Sequence, residues 1–256
     1  AEERSPGGAL NCIREGVLQD PAVTFVFGLH LQNLLPCGDI GLCDGPLMAQ
    51  SDRFTITVHG KGAHAAMPQH GADPILAAAH IVTALQCIVS RETDPLRSRV
   101  VTIGSVNGGS AFNIIPDTVT MTGTLRAFSS AEAADGAESL RRVVEHTALA
   151  LGVTATLDYE VGYPPLINPA DAVELVRPAL EAAVGANHVV RPQPWMGGDD
   201  FARYQLKVPG VFVLIGSRNE AKGNTAPLHS PSFTFDEDAL SAAVATLASV
   251  TRSYLG

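Results

Sequence analysis

The sequence has an excess of acidic over basic residues. Its 256 residues include 17 Lys and Arg against 26 Asp and Glu, which gives a formal net charge of −9 with neutral His. Nucleic acids and anionic membrane surfaces attract clustered positive charge, so this balance argues against both as partners. Hydrophobic residues make up 46% of the chain, a fraction typical of a folded globular protein, which excludes disorder as the main state.

Membrane-spanning and secretory signals are also lacking. No apolar run reaches the roughly 18 residues that a membrane span needs, and the opening AEERSPGGAL has no apolar signal-peptide core. The chain does not begin with Met, so we expect a processed product or a fragment. The four cysteines form no C-x-x-C pair and there is no Asn-x-Ser/Thr site, which favours a reducing, cytoplasmic location.

The middle of the chain predicts an inserted domain at residues 51–164. Alternating and helical periodicities follow one another in the order β-α-β-β-α-β, which is the ferredoxin-like arrangement. Asp73 is a plausible N-cap followed by Pro74, and Glu132 occupies a capping-box-like place. The predicted elements are Phe54–Val58, Asp73–Arg91, Val100–Val106, Thr118–Ala127, Ser130–Leu151 and Val153–Val161.

The flanking residues 1–50 and 165–256 predict a second, discontinuous α/β domain. Only two confident strands are found there, a small number for an α/β sheet. The fold class is therefore α/β with an inserted α+β domain. The predicted elements of the outer domain are helices over 8–18, 169–184 and 236–255 and strands over 22–30 and 211–215.

Several common catalytic signatures are absent: G-x-S-x-G, H-E-x-x-H and the phosphate-binding G-x-x-x-x-G-K-[ST]. The pair Glu2-Glu3 offers another chemistry, in which one carboxylate binds a metal and its neighbour takes a proton from the water that the metal activates. The alternative is a solvated acidic terminus.

Three histidines lie at predicted strand ends or in loops, where metal ligands and catalytic residues are often found. His30 ends an apolar strand, where ligands of α/β proteins often lie, and His229 follows a buried strand in a loop. His64 lies in the small-residue string GKGAHAAMP and could stabilise an oxyanion. Each histidine also has a structural interpretation. His30 would be a hydrogen-bonded residue at the edge of the core, His229 a surface loop residue and His64 a turn residue.

Asn113 and Arg126 come from the central hairpin of the inserted domain. The planar guanidinium of Arg126 suits a substrate carboxylate. The alternative for Arg126 is an exposed charge on a strand.

Taken together, these strings resemble the M20 metallopeptidase family, and in particular its amidohydrolase branch, which acts on N-acyl amino acids, hippurate-like compounds and indole-acetyl amino acid conjugates. The resemblance lies in six strings in the family's order: AEERSPGGALNCIREGVL, FGLHLQN, the string from LPCGDIG to GADPI, GSVNGGSAFNIIPDTVTMTGTLRAF, MGGDDFARY and PLHSPSFTFDEDAL. It implies a catalytic, metal-binding domain from residues 1–50 and 165–256, and a lid at 51–164 that makes a homodimer.

The resemblance also implies roles for single residues. Glu2 matches the general base, and Glu3, His30 and His229 match metal ligands for one or two divalent ions, zinc, manganese or cobalt. His64 matches a lid histidine that polarises the scissile carbonyl, contributed by the partner subunit in dimeric members. Asn113 and Arg126 match substrate-binding positions; the list of implied site residues is thus Glu2, Glu3, His30, His64, Asn113, Arg126 and His229.

Two departures from the family pattern stand out. The upstream segment with a His-x-Cys-Gly-His-Asp-like motif has no counterpart here, so we expect this chain to be the C-terminal part of a family member. In addition, Asp199 stands in GGDDF where the branch has Glu, one methylene longer.

The predicted function is therefore metal-dependent hydrolysis of the amide bond of N-acyl amino acids. Two alternatives stay open. The chain could be a catalytically incomplete fragment that folds and dimerises through its lid and binds an amino acid. It could also be an aminopeptidase or dipeptidase of the same family, which would require a free α-amine on its substrate.

Overall fold

The computed structural model describes residues 7–256, and the chain divides into two compact units. Of these residues, unit 1 contains 7–48, 166–195 and 199–256, and unit 2 contains 49–165 and 196–198. The sequence predicts all of residues 165–256 in the outer domain, whereas the structure groups 196–198 with unit 2. The catalytic and lid roles of the two units remain predictions.

The helices are α1 Gly8–Arg14, α2 Pro74–Cys87, α3 Ser130–Ala150, α4 Ala170–Val184, α5 Ala202–Gln205 and α6 Asp238–Leu255. The strands are β1 Val26–Pro36, β2 Ile40–Gly41, β3 Gly45–Met48, β4 Gln50–His59, β5 Ala63–His64, β6 Arg99–Gly108, β7 Ile114–Ile115, β8 Thr118–Ala127, β9 Thr154–Tyr163, β10 Leu166–Asn168, β11 Val189–Val190 and β12 Gly210–Arg218. A π-helical turn, Ile88–Glu92, continues α2.

Unit 2 is an antiparallel sheet with the strand order β6-β8-β4-β9, and α2 and α3 pack on it. This order is the one that the β-α-β-β-α-β connectivity produces, and the α/β class with a ferredoxin-like insert is confirmed. The core of the unit lies between the sheet and the two helices. A separate ribbon of β5 and β7 carries His64, which pairs with Ile114.

The caps of the two helices in unit 2 explain where they begin. The Asp73 carboxylate accepts the Ile75 and Leu76 N–H groups, and Pro74 takes the first helical position. The hydroxyl of Ser129 accepts the Glu132 N–H and caps α3. Both caps are local, which is why the sequence predicts these helix starts to within a residue.

One helix, Pro74–Glu92, is long and apolar enough to cross a membrane by length and composition alone. A third of its 18-residue window is buried inside the protein. Its buried residues, among them Ile81 and Leu85, belong to the core of unit 2. The core helix of a soluble protein passes the same test, so a single helix of this kind is weak evidence for a membrane span.

A fully buried carboxylate joins the first and last strands of unit 2. Asp52 on β4 is 1% exposed. Its Oδ2 accepts hydrogen bonds from the Tyr159 hydroxyl (2.6 Å) and from Nε2 of Gln50 (2.7 Å), and its Oδ1 accepts the Gly162 N–H (2.9 Å). Burial and the Asp52 carboxylate raise the pKa of Tyr159, which stays a donor. The network stabilises the end of the sheet where the chain enters and leaves the unit.

Unit 1 contains a sheet with the order β1-β12-β2-β11, in which the long strands β1 and β12 run parallel. Helices α4 and α6 pack together and cover the sheet, and Val211, Val213 and Ile215 of β12 lie in that core. The sequence predicts two strands here, ending at His30 and Ile215, and the structure adds the short strands β2, β3, β10 and β11. Strand β1 continues beyond His30 to Pro36, because Leu31 and Gln32 keep pairing with Ile215 and Gly216.

Candidate active site

His30 lies within β1 and pairs with Leu214 of β12, and its side chain is half-buried. Its Nδ1 is 2.6 Å from the carbonyl oxygen of Leu31. A carbonyl can only accept a hydrogen bond, so Nδ1 carries the proton and the neutral ring keeps its lone pair on Nε2. A backbone partner of this kind orients metal-binding histidines in general.

His229 lies in the loop between β12 and α6 and has a left-handed backbone, with φ of 64°. Among residues 7–256, His229 is the single non-glycine residue with a positive φ. Asn, Asp and His adopt this conformation more readily than other side chains, and such conformations concentrate at functional sites. The left-handed backbone makes His229 a candidate for a functional role, which stays a prediction.

The described residues do not form a metal centre by themselves. Among residues 7–256, no group of three His, Cys, Asp or Glu side chains is placed to hold a metal ion. The predicted pair Glu2-Glu3 lies outside the described residues. His30 and His229 lie on different elements of unit 1, and their roles as metal ligands, like that of Glu3, stay predictions.

The β5–β7 ribbon brings His64 and Asn113 together in unit 2. His64 pairs with Ile114, and the next N–H along, that of Ala65, donates to the Asn113 carbonyl at 3.0 Å. Both side chains are exposed. The Ala66 N–H donates to Nδ1 of His64 at 3.0 Å. Because Nδ1 accepts, the ring proton lies on Nε2, which is then a hydrogen-bond donor.

Arg126 lies on β8 and is half-buried. Its Nη1 donates to the Met196 carbonyl at 2.6 Å, so this arginine holds the segment 196–198 to unit 2. Burial lowers the pKa of Arg126, but a guanidinium remains charged at neutral pH. It has five N–H donors, and this contact uses one of them.

Both aspartates of the GGDDF string accept backbone N–H groups. Asp199 is buried, and its Oδ1 accepts the Phe201 N–H at 2.8 Å. Oδ2 of Asp200 accepts the Ala9 N–H in the first turn of α1, also at 2.8 Å. Asp200 therefore holds the start of the helix that follows the Glu2-Glu3 pair in sequence.

Sequence reasoning missed three buried polar residues: Asp52, Asn33 and Asp236. The sequence predicts Asp236 only as part of the acidic first turn of a helix, and it predicts no role for Asn33. Each has partners on another segment of the chain, which a local sequence pattern does not identify: Tyr159 for Asp52, Ala226 for Asn33, and Lys222 and Asn219 for Asp236.

Comparison with known proteins identifies the family of the chain. The model of peptidase family M20/M25/M40 matches residues 1–253. The chain belongs to this family. The predicted resemblance to its amidohydrolase branch is confirmed by relatives in that branch. The chain is 38% identical over 257 residues to IAA-amino acid hydrolase ILR1-like 4 of Arabidopsis thaliana, covering 99% of this chain and 58% of that protein.

Two Bacillus subtilis proteins are also similar to this M20 family member. The N-acetyl-L-cysteine deacetylase is 40% identical over 238 residues, covering 93% of this chain and 55% of the relative. The solved structure of the YXEP protein, described as a dinuclear metal binding peptidase from the M20 family, superposes with a TM-score of 0.78 at 33% identity. It covers all of this chain, which spans 64% of that protein. This chain therefore spans less than two thirds of each of these relatives.

Proposed function

We propose that the protein hydrolyses the amide bond of N-acyl amino acids. The observation that carries the proposal is the Ala66–His64 hydrogen bond, which leaves Nε2–H of His64 as a donor for a carbonyl oxygen. His30 has the opposite tautomer, with its lone pair on Nε2, as a metal ligand needs. Family membership and the names of the relatives, an amino acid conjugate hydrolase and a deacetylase, support the same reaction class.

The proposed ligands of one or two divalent ions are Glu3, His30 and His229. Zinc, manganese and cobalt all accept this donor set, and a bound ion would supply Lewis acidity at the scissile carbonyl. Glu2 takes a proton from the attacking water and delivers it to the leaving amine. His64 donates to the developing oxyanion.

Asn113 and Arg126 are proposed to bind the substrate. Asn113 is exposed beside His64 on the β5–β7 ribbon, which supports a role for its amide in binding a group near the scissile carbonyl. Arg126 keeps several N–H donors beyond the one that binds the Met196 carbonyl, and these suit a substrate carboxylate.

We further propose that unit 1 is the catalytic domain and that unit 2 is a lid through which two copies form a homodimer. Unit 2 exposes large apolar side chains beside His64: Phe112 is fully exposed, and Ile114 and Met67 are about half exposed. Large apolar residues grouped on a surface are typical of interaction sites. Phe112→Asp would shift the dimer to monomer in sedimentation analysis, whereas the same change at exposed Leu96, outside this surface, would leave the dimer intact.

The proposed location is the cytoplasm. All four cysteines are free thiols, and Cys43 is buried. A chain with free cysteines suits a reducing compartment.

The deciding experiment is the metal content of the purified protein after gel filtration, measured by inductively coupled plasma mass spectrometry, followed by hydrolysis assays with N-acyl amino acids. Bound zinc, manganese or cobalt together with turnover is the expected result. Glu2→Ala would abolish turnover and leave the metal bound, and Glu15→Ala, an exposed glutamate just after α1, is the matched control.

The other outcomes correspond to the two alternatives. A chain without metal or turnover that still dimerises would be the catalytically incomplete form. Turnover only of substrates with a free α-amine would identify an aminopeptidase or dipeptidase.

A further inference from the structure

The loop between β12 and α6 carries His229 and has little regular structure. Its internal backbone hydrogen bonds are short-range, such as Ser230 N–H to the Pro227 carbonyl and Phe233 N–H to the Ser230 carbonyl. His229 itself is exposed and has a left-handed backbone. Such a segment holds one conformation only if contacts at its two ends impose it.

Asp236 supplies those contacts at the end of the loop. Its carboxylate is almost fully buried and accepts hydrogen bonds from Nζ of Lys222 (2.6 Å) and from Nδ2 of Asn219 (2.5 Å). The Asp238 N–H also donates to it (3.2 Å), and the Asp236 N–H donates to the Ser217 carbonyl (3.1 Å). One side chain thus joins the exit of β12, the first residues of the loop and the start of α6.

Two residues of the β1 segment extend this anchorage. Cys37 lies just beyond β1, and burial and the nearby negative charge of Asp236 raise the pKa of its thiol. The buried side-chain amide of Asn33 donates to the carbonyl of Ala226. Asn33 lies three residues after His30 and Ala226 three residues before His229, so the two predicted ligands are linked through a single hydrogen bond between their segments.

Hydrogen bonds within the loop also connect its first part with its last residues. Nδ2 of Asn224 donates to the Thr234 hydroxyl at 3.0 Å, and residues 219 and 224 pair through their backbones. Lys222 also contacts the exposed carboxylate of Asp238 at 2.9 Å. Asp236 differs from Asp238 because it is buried, so its loss would leave Lys222 and Asn219 without their shared acceptor.

We propose that Asp236 is a positioning residue for His229: it fixes both ends of the loop 219–235 and so holds the His229 ring where the proposed metal site needs it. The link to metal binding rests on the proposed function, whereas the ordering of the loop does not. Outer-shell partners of metal ligands affect affinity although they do not touch the ion.

The first test is hydrogen–deuterium exchange of the metal-free protein, which needs neither metal nor turnover. Asp236→Ala should increase exchange of the amides in residues 219–235 about tenfold or more, with residues 154–163 of unit 2 unchanged. Asp236→Asn keeps an acceptor oxygen and the shape, so it should show a smaller increase and serves as the folded alternative if Asp236→Ala does not fold. Glu220→Gln, in the exposed Arg218–Glu220 pair of the same loop, is the matched control and should match wild type.

The second test is zinc affinity, measured by competition with a chelator. Asp236→Ala should bind zinc about 10- to 100-fold more weakly than wild type, Asp236→Asn should recover part of the loss, and Glu220→Gln should equal wild type. Unchanged exchange in the loop of either Asp236 variant, or increased exchange spread evenly over unit 1, would overturn the positioning role. Wild-type protein that binds none of zinc, manganese and cobalt would overturn the proposed metal function, and loop exchange would still decide the role of Asp236.

Discussion

The backbone N–H of Ala66 donates to Nδ1 of His64, and this fixes which ring nitrogen of His64 can donate. The hydrogen bond comes from a turn two residues further along the chain, so it needs no substrate or metal to form. The imidazole is therefore preorganised with Nε2–H as its donor, the state in which a neutral histidine can stabilise an oxyanion.

Amide substitutions at His64 distinguish the two ring nitrogens. The side-chain amide of Gln reaches the place of Nε2, whereas that of Asn reaches only the place of Nδ1. His64→Ala should lower kcat by roughly 10²-fold or more, and His64→Gln should retain more turnover than His64→Asn. Steady-state kinetics measures the order, and equal losses in Gln and Asn variants would remove the Nε2–H donor from the mechanism.

Mixing two inactive variants tests whether His64 acts across the proposed dimer. In a random mixture of His64→Ala and Glu2→Ala chains, half of the dimers would contain one intact site, so about a quarter of wild-type turnover per chain should return if the dimer is symmetric. The assay compares the mixture, after subunit exchange, with each variant alone. No recovery in dimers shown to have exchanged would place Glu2 and His64 of one chain in the same site.

Tyr159→Phe tests the buried network in unit 2. The change leaves the Asp52 carboxylate without its hydroxyl donor, and a hydrogen bond to a charged buried group stabilises by about 2 kcal/mol, so the free energy of unfolding should fall by about that amount. Urea unfolding followed by circular dichroism measures it. Tyr254→Phe is the control, because that hydroxyl pairs with Thr24 at an exposed site, and it should cost less than about 0.5 kcal/mol.

The Asp236 carboxylate makes stability depend on pH at the acid end. The hydrogen bonds of Lys222 and Asn219 lower the pKa of Asp236 from 3.8 to about 2. A lowered pKa stabilises the folded state above the unfolded-state pKa of about 4. The stability of wild type relative to Asp236→Asn should therefore be largest above that pH and shrink as the pH falls towards about 2.

Urea unfolding across this pH range measures the difference between wild type and Asp236→Asn. Two titratable groups lie near the Asp236 carboxylate: the Lys222 ammonium, which also contacts the Asp238 carboxylate, and the Cys37 thiol. Asp238→Asn, which alters an exposed partner of the same lysine, is the control and should show a smaller dependence. If the difference in free energy of unfolding between wild type and Asp236→Asn does not change with pH, the role of the ion pair is contradicted.

The fold of unit 2 could be predicted because its signals are local. Alternating strands, the Asp73 cap and the Pro74 helix start depend on neighbours in sequence, and they define the order of elements. The short strands β2, β3, β10 and β11 have two to four residues and form only through pairing with distant partners, which no local periodicity encodes.

In the candidate site, too, the residues with local sequence signals could be predicted, whereas contacts between distant segments could not. His30 and His64 were singled out by where they stand relative to strands, and the structure adds what fixes their tautomers. The proximity of His64 to Asn113 depends on the β5–β7 pairing, across 49 positions of sequence. Asp236 could not be predicted as an anchor, because its partners Asn219 and Lys222 belong to a loop whose path has no sequence signature.

The pairing of Ser51 with Tyr163 affects how readily the inserted unit can be gained, lost or exchanged in evolution. These residues stand at the entry to and the exit from unit 2, and as antiparallel partners their Cα atoms lie about 5 Å apart. An insert with adjoining ends can be removed, replaced or exchanged between relatives without a gap for the host domain to bridge. The segment 196–198, bound through the Met196 carbonyl to Arg126, is the part that an exchange would have to carry along.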